Sequence, residues 1–171
     1  MVRTMSCCSS TPKDKGNSMT GTETTGTRTV DAERAARQRA EELYATDRTC
    51  ALLGIALKDA GPGRATVRMR VAETMVNGHG TAHGGFLFLL ADAAFAFACN
   101  THGPATVAQG AQVTFLRPAE PGDELTAEAV ERSRFGRSGV YDATVRRSDG
   151  TVIAEFRGQS HMLGRPVRQT D

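Results

Sequence analysis

Residues Gly84–Cys99 read GGFLFLLADAAFAFAC, a run in which Asp92 is the sole polar side chain. Nothing else in the chain narrows the possible folds as sharply. The run is shorter than the roughly twenty residues that cross a bilayer, and it carries a carboxylate at its middle. A helix that is apolar on every face belongs inside a core, so the rest of the chain must supply a surface that wraps it.

The flanking sequence offers that surface as strands. GIALKDA and then ATVRMRV, separated by Gly61-Pro62-Gly63, read as a hairpin with Ala65, Val67, Met69 and Val71 alternating against Thr66, Arg68 and Arg70. Four more extended segments follow the helix, at 105–116, 124–134, 138–147 and 151–162. Turn chemistry separates them at Pro121-Gly122-Asp123, Phe135-Gly136 and Ser148-Asp149-Gly150. The expected class is α+β: a curved six-stranded antiparallel sheet wrapped around one central apolar helix, with an N-terminal helix and a disordered tail.

At 171 residues the chain has room for one domain of ordinary size. Residues 1–30 are rich in Ser, Thr and Gly and lack Leu, Ile, Phe, Trp and Tyr, so they cannot offset their ordering entropy and are expected to be disordered. The whole net charge of +2 resides there, and it is too small to indicate a nucleic-acid partner. No apolar run resembling a secretory signal follows Arg3, so the cytoplasm is the default compartment. Asp31 is the expected N-cap of a helix over 31–48 with a thin apolar stripe, suited to docking on the edge of a domain at 49–165; residues 166–171 form a short C-terminal tail. Cys7, Cys8, Cys50 and Cys99 have neither a zinc spacing nor a disulfide framework.

Asp92 then requires an explanation, because a lone ionised carboxylate in apolar surroundings is costly without a partner, water or an interface. It is either a structural group paired to an amide or an arginine, or a functional one. The segment leading into the helix, Met75-Val-Asn77-Gly-His79-Gly-Thr-Ala-His83-Gly84-Gly85, carries the same two readings. Its glycines can be turn chemistry alone, or they can expose helix-terminal amides able to polarise a carbonyl and hold an oxyanion. Gly84 and Asp92 are eight positions apart, about 12 Å along a helix. If both act on one acyl carbon, they come from different subunits of a two-fold dimer.

The stretch N-G-H-G-T-A-H-G-G-F-L-F-L-L-A-D, followed by F-L-R-P, G-D-E-L-T-A, G-V-Y-D and F-R-G-Q-S-H, resembles the PaaI-type acyl-CoA thioesterases of the hotdog-fold superfamily over residues 50–163. The resemblance implies a sheet wrapped around one helix, dimers formed by sheet extension and often paired into tetramers, and hydrolysis of acyl-CoA thioesters without metal or organic cofactor. Phenylacetyl and hydroxyphenylacetyl groups are frequent substrates in this phenylacetate-degradation type. It gives Asp92 the role of general base toward water or nucleophile, and Gly84 that of amide donor to the thioester carbonyl, with Gly85 beside it. Asn77 and His83 match positions that orient the loop and assist near the carbonyl or leaving thiolate. Where some relatives place a Ser or Thr to position water, this chain has Ala108-Gln109-Gly110, which makes Gln109 the candidate water ligand.

Coenzyme A carries phosphates, so Arg117 in FLRP and Arg134, Arg137 and Ser138 around a glycine turn are candidate contacts; the bland alternative is solvated strand ends. His79 and His83 are spaced like a metal pair, but glycines surround them and no HExxH glutamate is present. No G-x-S-x-G elbow and no nucleotide fingerprint in a strand-to-helix setting occurs. Two competing functions remain: an acyl-CoA hydratase or dehydratase, and an acyl-CoA-binding module without turnover. The expected partners are the acyl-CoA substrate and a second copy of the chain, with no nucleic acid and no membrane.

Overall fold

The computed structural model describes residues 23–164. Two helices come first, α1 (Glu23–Thr46) and α2 (Arg48–Leu53), followed by strands β1 (Ala56–Gly61) and β2 (Arg64–Arg70). A short 3-10 turn (Glu73–Met75) precedes α3 (Gly84–Asn100), and β3 (Thr106–Phe115), β4 (Glu124–Phe135), β5 (Ser138–Arg147) and β6 (Val152–Met162) follow. All six strands form one antiparallel sheet in the order β1-β2-β4-β5-β6-β3. The sheet curves around α3, which is the hotdog arrangement.

Burial follows from the strand alternation. In β2, β4 and β5 every second residue turns inward, so Val67, Met69, Leu125, Ala127, Ala143 and Val145 are all buried against α3. From the helix, Leu90, Ala91, Ala94, Phe95 and Ala98 fill the concave side. Each large side chain buried this way contributes about 1.5–3 kcal/mol. Phe95 meets Tyr141 edge-on at 5.4 Å between ring centroids, and Phe88 meets Phe156 at 5.3 Å. Gly158 lets β6 approach this cluster, since a Cβ there would stand 2.9 Å from ring atoms of both Phe95 and Phe156.

The two sheet edges are treated differently. Along β1, α1 lies as a cover: Arg37 reaches Asp59 at 3.4 Å, Arg64 reaches Glu33 at 2.9 Å, and the Tyr44 hydroxyl donates to the Ile55 carbonyl at 3.1 Å. The helix buries little of itself, with Ala36 and Ala40 as its buried positions, in keeping with its thin stripe. Among the described residues strand β3 pairs with β6 alone, and it is exposed along most of its length on both faces. It is ten residues long and contains no charge and no proline, the usual devices that keep a free edge from pairing.

Helix boundaries depart from the sequence expectation at the N-terminus. The first helix begins at Glu23 rather than after Asp31, whose carboxylate pairs with Arg34 at 3.1 Å inside the helix instead of capping it. Extending a nucleated helix adds one hydrogen bond per residue, which offsets the weak propensity of a Thr-rich turn. Of the expected disordered tail, residues 23–30 are therefore helical, and residues 1–22 lie outside the described residues, as does the 166–171 tail. The short α2 falls where the N-terminal helix was expected to give way to strand. Asp47 caps it by accepting from Cys50 N–H at 2.9 Å, and Gly54 closes it in the left-handed conformation (φ 65°), so β1 starts at Ala56 rather than Gly54.

Candidate active site at the helix terminus

The loop before α3 is built on Asn77. Its Oδ1 accepts from the His79 amide at 2.8 Å, its own N–H donates to the Thr81 carbonyl at 2.8 Å, and its carbonyl accepts from Gly80 N–H at 3.0 Å. The far side of the loop is tied down as well, because His83 N–H donates to the Met75 carbonyl and Ala82 N–H to that of Ala119, each at 2.8 Å. The loop thus delivers the chain to the first turn of α3 in a fixed direction.

That turn has unequal amides. His83 is the N-cap, and its Nδ1 accepts from Gly85 N–H at 3.1 Å while its carbonyl accepts from Phe86 N–H at 2.9 Å. In the neutral ring the proton therefore sits on Nε2, on an exposed side chain. Gly84 N–H has no acceptor among the described residues. The sequence reading makes Gly84 the amide donor with Gly85 beside it as a substrate contact; the geometry commits the Gly85 amide to the cap and leaves that of Gly84 open. Unpaired and at the positive end of α3, it is a ready donor to a carbonyl oxygen.

Asp92 lies two turns further on, half-buried, and no hydrogen bond or ion pair from the described residues reaches it. Neither structural reading, a backbone amide or an arginine as partner, is met among the described residues. Burial alone pushes its carboxyl above the ordinary carboxylate range. It belongs to a stripe of incompletely covered residues, Gly85, Leu89, Asp92 and Ala96, spaced so that they share one helix face.

The remaining expected contacts fall into separate places. Arg117 is exposed just past β3 and donates to the Val152 carbonyl at 3.3 Å, close in sequence to the Ala119–Ala82 tie at the helix N-terminus. Gln109 is the extra residue of a β-bulge, between the Ala108–Ser160 and Gly110–Gln159 pairs, with an exposed side chain. Arg134, Arg137 and Ser138 gather at the opposite end of α3, in a narrow cleft shared with Cys99, His102 and Thr106. Arg137 is already engaged there, donating twice to the Met162 carbonyl at 2.8–2.9 Å. Within one protomer the two groups stand at opposite ends of a helix about 25 Å long, with Asp92 between them.

Two features were not foreseen from the sequence. His102 Nε2 lies 2.6 Å from Glu131 Oε2, which also accepts from the buried Tyr141 hydroxyl at 2.8 Å. Partial burial raises the Glu131 carboxyl, but the Tyr141 and His102 hydrogen bonds outweigh it and hold the group below its ordinary value. The second is Phe115, whose ring lies against the start of α3: a Cβ on Gly84 would stand 2.9 Å from its Cζ. The FLRP motif contained Phe115, but no periodicity assigned it a partner. Among the described residues no three His, Cys, Asp or Glu side chains are placed to hold a metal ion, and no helix is long and apolar enough to cross a membrane.

Comparison with known proteins gives this geometry a context. Residues 79–154 match the Thioesterase superfamily, a span that includes the helix N-terminus and Asp92. The Escherichia coli acyl-coenzyme A thioesterase PaaI is 44% identical over 127 residues, covering 74% of this chain and 91% of that protein. A solved structure of E. coli PaaI superposes with a TM-score of 0.78 over 80% of this chain and 99% of that one. A mutant of the phenylacetic acid degradation protein PaaI from Thermus thermophilus is 38% identical, with a TM-score of 0.66, covering 68% of this chain and all of its own.

Proposed function

The chain belongs to the PaaI-type acyl-CoA thioesterases of the hotdog-fold thioesterase superfamily and is a thioester hydrolase; on that premise we propose that it hydrolyses arylacetyl-CoA thioesters at sites shared between two subunits. The observation that carries the proposal is a pairing on one helix: a first amide without an acceptor, and a half-buried carboxylate without a partner about 12 Å away. Neither group is satisfied by the described residues of its own protomer, and both suit one reaction if a second protomer brings them together.

The uncovered β3 edge supplies the means. Two β3 strands paired antiparallel across a two-fold axis set the Phe115 end of one beside the Thr106 end of the other, and run their α3 helices in opposite directions. Gly84 of one protomer then faces Asp92 of the partner subunit, and the Arg134, Arg137 and Ser138 group of the second protomer lies toward the coenzyme A phosphates. Arg117 is a further phosphate contact from the first protomer. Dimers of this kind pair into tetramers in our reading, and the enzyme works in the cytoplasm.

The chemistry follows from the positions. The thioester carbonyl oxygen accepts from Gly84 N–H, whose fixed dipole is complementary to the negative charge that grows there. Asp92 takes a proton from a water, held in part by Gln109, as the water oxygen attacks the carbonyl carbon. Collapse of the tetrahedral intermediate breaks the carbon–sulfur bond; the thiolate leaves and takes up the proton from Asp92, with His83 Nε2–H beside it. Thioester and water become carboxylic acid and free coenzyme A thiol, with no cofactor in the balance.

Subunit complementation tests the proposal. Gly84→Pro removes the amide hydrogen at a helix position that accepts proline, and His83 already has the extended backbone (φ −65°, ψ 132°) that a following proline requires; the proline ring also brings a Cβ to 2.9 Å from the Phe115 ring, so thermal melts must first show that the variant folds. Asp92→Asn removes the base. Each variant alone is expected to lose roughly 10²-fold or more of thiol release from phenylacetyl-CoA. Refolded together in equal amounts they should recover about a quarter of wild-type activity, since half the dimers are hybrids with one intact site of two. Absence of thiol release by the wild-type protein, hydration of an enoyl-CoA in its place, or no recovery on mixing each refutes the proposal.

A further inference from the structure

Phe115 is a large apolar side chain that the fold leaves 49% exposed. Its ring joins none of the aromatic pairs of the core, which link Tyr44 with Phe97, Phe88 with Phe156, and Phe95 with both Tyr141 and Phe156. The ring nevertheless has a defined place. Its backbone is paired with Ala154 in the β3–β6 ladder, the next residue is fixed by Leu116 N–H donating to the Ile153 carbonyl at 2.8 Å, and the ring tip rests against Gly84. Glycine at the head of α3 therefore has a second reason beyond the amide it offers: any side chain would press on Phe115 within 2.9 Å.

We infer that Phe115 forms a wall of the acyl pocket and biases the enzyme toward acyl groups that carry an aromatic ring; the inference rests on the hydrolase reading above and names its specificity residue. A thioester oxygen bound to Gly84 N–H puts the carbonyl carbon within about 4 Å of the first residue of α3, and so beside the ring that lies on it. An arylacetyl group places its own ring one methylene further, at the separation where two aromatic rings meet edge-to-face or offset, about 4.5–7 Å between centroids. An alkyl group fills the same space without the ring-to-ring contribution. A half-exposed phenylalanine fixed beside a reactive amide gains its missing neighbour when the substrate binds.

The test uses Phe115→Leu, which keeps apolar bulk and loses the ring, and Phe115→Tyr, which keeps the ring. Thermal melts confirm folding, and Phe115→Met replaces the leucine variant if that one fails to fold. The reading is kcat/KM for phenylacetyl-CoA divided by kcat/KM for hexanoyl-CoA. The leucine variant should lower this ratio by about three- to tenfold, chiefly through KM for the aryl substrate, and the tyrosine variant should hold it within about twofold of wild type. Calorimetric affinities for 2-oxo-3-phenylpropyl-CoA and 2-oxoheptyl-CoA, thioethers that keep each acyl group beyond its carbonyl and bind without turnover, should shift in the same ratio. This arm reads the inference even if the protein hydrolyses neither thioester, a result that refutes the hydrolase reading alone. A ratio unchanged by leucine, including one in which both substrates lose equally because the ring only packs between subunits, overturns the inference.

Discussion

Replacing Asp92 with asparagine should make the protein less active and more stable at once, and the two effects have one cause. Burial disfavours the charged form of this carboxyl and raises its pKa in the folded state. The folded protein therefore holds a proton in a pH window where the unfolded chain has released it, and stability falls as pH rises through that window. Above the folded-state pKa wild type carries the full penalty, and Asp92→Asn carries none at any pH. The amide leaves no group orphaned, since no described residue bonds to the carboxylate. Thermal melts of the two proteins should show the variant ahead at pH 7, with the gap closing as pH falls below the ordinary carboxylate range. Other carboxylates titrate equally in both proteins and cancel. Turnover moves the other way: loss of a general base lowers it by about 10²–10⁴, or about 3–5 kcal/mol of transition-state stabilisation, while the Gly84 amide keeps a residual rate. In wild type the acid limb of kcat/KM should lie above the ordinary carboxylate pKa, because only the ionised form accepts a proton. A variant less stable than wild type at pH 7 would mean that the assembled protein pairs Asp92 with a cation or donor, and the reasoning from an unpartnered base would fail.

Two further outcomes test the frame around the site. Gly158→Ala should cost about 1–3 kcal/mol, read from denaturant or thermal unfolding, because its Cβ would press on the buried rings of Phe95 and Phe156; an unchanged midpoint would show that α3 and β6 are less closely packed than described. The buried Cys50 and Cys99 thiols are both pushed up to about 12, chiefly by burial, so neither should react with a thiol dye at pH 8 until the protein is unfolded. Rapid labelling of either in the native protein would contradict that burial.

Much of this fold was legible because its signals are local. Strict alternation in 65–71 and the turn residues at 121–123 and 148–150 placed the strands to within one or two residues, and an all-apolar run can only be a buried helix. The short α2 escaped because six residues are too few to show a period, although Asp47 and Gly54, its caps, were there to be read. The start of α1 escaped because propensity alone ranks a Thr-rich turn poorly, and cooperative extension from the helix behind it is not a property of those residues.

The site was legible only as an inventory, and the reason is topological. Nothing local in residues 106–115 says that β3 closes one edge of the sheet; that follows from the chain crossing over α3 and returning beside β6, a pairing between residues far apart in sequence. Once β3 is an edge, its lack of charge and proline changes meaning, from a plain strand to a surface built to pair. The placement of Asp92 changes with it. In isolation a half-buried carboxylate without a donor is a defect, and so is a helix whose incompletely covered stripe is otherwise apolar. Both sit on the side of α3 that its own sheet does not finish covering, and a second copy paired along β3 is the one arrangement proposed here that covers the stripe and gives the carboxylate a substrate to act on. Stability withheld from the protomer at Asp92, Phe115 and the β3 edge is then the condition for assembling the site, which is why removing the charge should stabilise the protein and silence it in the same step.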